Sequence, residues 1–130
     1  MYKYYNPNPR GDIRSGDCVI RALAKATGLT WEEVYLELSM LGFRMGDMPS
    51  ANQVWAEFLR SYGFRRYAIS NTCPACYTVA QFAEEHGRGL YVLATGTHVV
   101  TVLDGDYYDS WDSGDEVPVY YFRKGDQHAY

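Results

Sequence analysis

Three side chains in this sequence have the types and the order that nucleophilic catalysis needs. They are Cys18, His98 and an acid shortly beyond it, Asp109 or Asp112. Asp17 is a good N-cap residue, which places Cys18 in the first turn of a helix. Aligned backbone N–H groups there favour thiolate over thiol. The same groups, the Cys18 backbone N–H first among them, can donate to an oxyanion at the reacting carbon. A thiol, a base within hydrogen-bond reach and a third group that holds the base make an activated nucleophile. The competing reading of Cys18 is a small buried apolar residue, a common use of cysteine.

His98 opens an apolar run, Val99 to Leu103, after the small-residue turn Thr95-Gly96-Thr97. Asp104-Gly105 next to that run is a hairpin signal. A two-residue turn there pairs Leu103 with Asp106, Val100 with Asp109 and His98 with Trp111. Positions 98, 100, 107, 109 and 111 then share a face, and Asp109 is a diagonal neighbour of the imidazole. A four-residue turn instead moves Asp112 to that position, so Asp109 is the first choice and Asp112 the second. The plain alternative for both acids is a solvated place near a turn. Trp111 lies near enough to wall a substrate groove.

The remaining cysteines form Cys73-Pro74-Ala75-Cys76, half of a zinc site. Four ligands are the rule for structural zinc, and His86 and His128 are the remaining histidines. Thioredoxin chemistry asks for a βαβ setting, which the surrounding pattern lacks. Cys73 and Cys76 are therefore weak metal candidates, and the sequence calls for no metal and no cofactor. An odd cysteine count argues against a disulfide framework.

The elements that must position these residues are legible in periodicity and punctuation. Residues 1–16, with Pro7, Pro9 and Gly11, read as an irregular lead-in. Cys18 to Thr27 is helical, with Gly28 at its C-cap. Thr30 to Glu33 is a capping box; its helix runs to about Leu41, is closed by Gly42, and leads into a loop over 43–49. Ser50 caps a third helix, about Ala51 to Tyr62, in which Trp55 is expected in the core, as Trp31 is in the helix before. Strand-like runs come next, at 64–69, 89–94, 98–103, 107–111 and 117–122, with a short helix from Thr78 to about His86. The result is a single α+β domain, with a helical half over 17–62 packed on a mostly antiparallel sheet half over 64–122.

Composition bounds the function. The 130 residues carry a net charge of −4, and Arg60, Arg65 and Arg66 are the one local basic cluster. A nucleic-acid partner would call for a basic face, so none is expected. No apolar run approaches the ~18 residues of a membrane span. The first ten residues lack the basic-then-apolar pattern of a secretory signal, which predicts a cytoplasmic protein. The 13 tyrosines, within 16% aromatic content, suit strand surfaces and binding faces.

Two segments carry a family resemblance. Gly16-Asp17-Cys18-Val19-Ile20-Arg21-Ala22-Leu23-Ala24, with the run from Thr97-His98-Val99 to Tyr107-Tyr108-Asp109, resembles the papain-like cysteine peptidase superfamily, in particular its small bacterial and phage members. The first segment is also similar to the nucleophile helix of ovarian-tumour-type deubiquitinases. The resemblance implies a helix packed on an antiparallel sheet, a site in the cleft between them, and a peptide or protein substrate cleaved at an amide or isopeptide bond. It also implies a Gln about six residues before the nucleophile, as an oxyanion donor. Asp12 stands there instead, and its carboxylate would repel an oxyanion. The donor then falls to Asn8 or Asn6, or else the chain is a non-catalytic binding module that captures a host protein or a small signalling molecule.

Overall fold

The computed structural model describes residues 1–11, 16–70 and 77–125. In chain order the elements are β1 (Tyr2–Tyr4), α1 (Cys18–Thr27), α2 (Trp31–Met45), α3 (Asn52–Ser61), β2 (Phe64–Ala68), α4 (Val79–Glu85), β3 (Leu90–Ala94), β4 (Val99–Leu103), β5 (Asp106–Asp109) and β6 (Tyr120–Lys124). The strands form one six-stranded sheet in the order β1-β5-β4-β3-β6-β2. All neighbours are antiparallel except β1, which runs parallel to β5. The α+β class expected from the sequence is therefore present, with a mixed sheet.

The sheet separates two cores by its two-residue period. On one face Val92, Ala94, Val99 and Phe122 meet Leu23, Leu38, Trp55 and Leu59 from α1, α2 and α3. On the other, Tyr91, Leu93, Val100, Val102 and Tyr107 meet Val79, Phe82 and Ala83 from α4. Thr101, fully buried, uses its hydroxyl to donate to the Ala22 carbonyl at 2.6 Å, tying α1 to β4.

Several expectations need correction. The lead-in is not wholly irregular: Tyr2–Tyr4 pairs with Tyr107–Asp109 as an edge strand, and the Pro and Gly signals govern only the residues after this strand. Asp17 occupies the N-cap of α1 but makes no capping hydrogen bond; its carboxylate is drawn to Arg21 and Trp31. Gly42 does not end α2. The helix continues to Met45 and is capped by Gly46 at φ 73°, so most of the expected 43–49 loop is helical or cap. Gly42 is needed for space: a Cβ there would sit 2.7 Å from the Asp47 carbonyl oxygen as the chain turns back. Nor does Ser50 cap α3, whose N-cap is Ala51 without a side-chain bond. The capping box at Thr30 and the left-handed cap at Gly28 are as expected, and Thr78, where a short helix was expected to open, makes a second capping box with Gln81.

Candidate active site

The β4–β5 hairpin sets the site. Asp104 at φ 49° and Gly105 at φ 88° make the two-residue turn, and Leu103 pairs with Asp106, Val102 with Tyr107 and Thr101 with Tyr108. That register brings Asp109 alongside His98, whose Nε2 lies 2.5 Å from Asp109 Oδ2. The face assignment made from the register needs correction. Val100 and Tyr107 point to the α4 core, whereas His98 and Asp109 bond to Cys18 and Arg21 of α1. His98 precedes its strand and Asp109 ends one, so pleat parity does not govern either side chain.

His98 is fixed from both sides of its backbone. Its N–H donates to Thr95 Oγ1 at 2.9 Å, and its carbonyl accepts from the Thr95 N–H at 2.8 Å. The ring interacts with the Cys18 thiol, each shifting the pKa of the other. With Nε2 taken by Asp109, Nδ1 is the nitrogen left for sulfur. Trp111 lies against the outer side of the ring, centroids 4.9 Å apart, and is itself 46% exposed.

Electrostatics arise from these contacts. Burial alone would raise the Cys18 pKa, but the His98 hydrogen bond and charge, the Val99 N–H and the Arg21 guanidinium outweigh it and lower the pKa below the ordinary thiol value. Burial would likewise lower His98; its hydrogen bonds to Asp109 and Cys18 prevail and push it up to about 9. Asp109 is held below the usual carboxylate range, burial being overcome by His98, Ser113 and the Ser110 N–H. Together these shifts favour the thiolate–imidazolium pair over the neutral thiol and imidazole.

Behind the pair lies a buried polar chain that sequence reasoning missed. Asp109 Oδ1 accepts from Arg21 Nη2 at 3.2 Å and from the Ser110 N–H at 2.8 Å, while Oδ2 accepts from Ser113 Oγ at 2.7 Å. Arg21, 5% exposed, also pairs with Asp17, 6% exposed. Asp17 Oδ2 then accepts from Trp31 Nε1 at 2.8 Å and Asn8 Nδ2 at 3.2 Å. Trp31 thus anchors the network rather than the apolar core, while Trp55 is in the core as expected. The available signal was the Asp17–Arg21 spacing of four on a helix, which reads as a surface pair unless an apolar setting is recognised.

The other candidates fall elsewhere. Asp112 Oδ1 accepts from the Tyr107 hydroxyl at 2.5 Å and the Gly114 N–H at 3.0 Å, so the tighter turn excludes it from His98. Asn8 has committed an amide hydrogen to Asp17. Asn6 Oδ1 accepts from the Asn8 N–H at 3.2 Å, while Asn6 Nδ2 is buried with no partner. His86 stacks on Phe82 with centroids 3.8 Å apart. Asp12, Cys73, Cys76 and His128 lie outside the described residues. Among the described residues no three His, Cys, Asp or Glu side chains converge on a metal-sized site, and no helix is long and apolar enough to cross a membrane.

No protein-family model, curated protein or solved structure matches this chain.

Proposed function

We propose that this protein is a papain-like cysteine hydrolase acting on an amide or isopeptide bond of a peptide or protein. The observation that carries the reading is His98 hydrogen-bonded to Asp109 and coupled to the Cys18 thiol, with the acid clamped by Arg21 and Ser113. The Cys18 thiolate attacks the carbonyl carbon, and the carbonyl π electrons move to oxygen. The Cys18 backbone N–H and the unspent Asn6 amide stabilise that oxyanion. As the C–N bond breaks, His98 Nδ1 gives its proton to the leaving amine. Water, deprotonated by His98, then hydrolyses the thioester and returns the thiol. Asp109 keeps the imidazole oriented and favours its charged form. Trp111 walls the approach. Such a nucleophile needs no cofactor, and it needs a reducing compartment to stay free, which fits a cytoplasmic location.

The test uses a Cys73→Ser, Cys76→Ser background, labelled with iodoacetamide near pH 6. Cys18→Ala is expected to abolish labelling with the fold retained. Equal labelling of the two proteins sinks the reading. Asn6→Ala is expected to leave labelling intact and slow peptide hydrolysis by about a hundredfold. A Cys18 pKa at the ordinary value, about 8.5, would point to the binding module instead.

A further inference from the structure

α2 is apolar on two faces. Val34, Leu38 and Gly42 face inward. Leu36, Met40 and Phe43 recur at helical spacing on another face, and they are 69%, 55% and 83% exposed. Met48, 68% exposed, extends the patch from the next turn of the chain. A surface helix ordinarily carries charged or polar residues where these three lie, and a contiguous exposed apolar patch marks an interaction site.

The charges beside the stripe say what covers it. Glu33 and Glu37 lie along one flank in the N-terminal half, and Arg44 lies on the same flank near the C-terminus. We propose that this face binds a second copy of the chain, α2 against α2, antiparallel about a twofold axis. Such an axis keeps each flank on its own side and reverses its order. With the axis between Met40 and Leu41, Glu37 lies level with Arg44 of the second copy, and symmetry makes the pair twice. A parallel pair would instead carry this flank to the opposite side of the second copy, leaving Glu37 with no Arg44 to meet. The open groove of about 520 Å³ between α2 and α3, bounded by Leu36, Met40 and Tyr62, lies on that flank and receives Met40 of the second copy. The helix is about 22 Å long at 1.5 Å per residue, long enough for one stripe to lie along the other. This interface is independent of the Cys18 chemistry.

Sedimentation of the full chain under reducing conditions, where no disulfide can link copies, tests it. A concentration-dependent dimer is expected. Phe43→Glu, at an exposed position that leaves the fold intact by circular dichroism, is expected to weaken it about thirtyfold. Glu37→Arg and Arg44→Glu alone are each expected to weaken it about fivefold, and mixing the two variants restores a mixed dimer, because the like-charge contacts of each variant alone are then relieved. A monomer at all concentrations, a dimer indifferent to Phe43→Glu, or a mixture no tighter than the single variants overturns the proposal.

Discussion

His98 and His86 sit on opposite faces of one sheet, and they are held by opposite means. On the α1 face the imidazole of His98 is enclosed by ionisable groups: Asp109, the Cys18 thiol and, one step further, Arg21. On the α4 face His86 lies among rings, stacked on Phe82 and edge-on to Tyr91 at 5.0 Å, with its Nδ1 2.7 Å from the Phe82 carbonyl oxygen of its own helix. Both histidines pack against well-buried cores, so packing alone does not make a histidine chemical. What distinguishes His98 is a second titratable partner on each side of the ring. A proton on one ring nitrogen is there answered by a carboxylate, and the other nitrogen is left for a thiol.

The largest expected effects break each face by its own mechanism. Arg21→Met leaves Asp17 a buried charge without its cation and Asp109 with His98 alone, and urea unfolding is expected to show a loss of about 3–5 kcal/mol. Phe82→Ala empties the aromatic face at a similar cost, about 3–5 kcal/mol. They should part in thiol chemistry. Without urea and at a pH of about 6, Arg21→Met slows Cys18 alkylation and Phe82→Ala leaves it unchanged; equal slowing in both would show that the two faces are not separate.

A smaller effect is expected with pH. His98 is raised to about 9 in the folded protein, against about 6.5 when unfolded. The folded state therefore holds this proton more tightly. Its stabilisation is complete below about pH 6.5 and is lost as pH rises through about 9. Folding lowers the Cys18 pKa, which gives the opposite slope over this range, so the comparison uses Cys18→Ala: its urea midpoint is expected to fall between those values, and the fall should be shallower once His98→Gln is added. Identical slopes would remove His98 from the linkage.

The smallest effect sharpens the contrast at an end of α4. Thr78→Ala removes the capping-box acceptor for the Gln81 N–H and is expected to cost about 1 kcal/mol in thermal unfolding, with alkylation of Cys18 unaltered.

How far these features are visible in the sequence depends on whether the cause is local. The Asp104-Gly105 turn fixes its own register, so Asp109 could be placed beside His98 from residue types alone. The capping boxes at Thr30 and Thr78 are equally local. Gly42 misled because its reason is tertiary, the approach of the Asp47 carbonyl to a helix that continues past it. Asp17 misled in the same way: its type suits a cap, but Arg21, Trp31 and Asn8 compete for the carboxylate. β1 escaped notice because three residues at a sheet edge carry no period of their own.

The clamp on Asp109 joins residues 88 positions apart in the chain. During synthesis α1 can form early, with Cys18 at its start, while the acid and the imidazole have yet to be made. Until the β4–β5 hairpin arrives and docks, the nascent chain carries an ordinary thiol, because the groups that depress it belong to the far end of the polypeptide. Contacts of such separation close late, after loop entropy has been overcome. Thiol reactivity is in this way timed by folding: the shift at Cys18 comes with completion of the domain, and its rate of alkylation reports when that completion occurs.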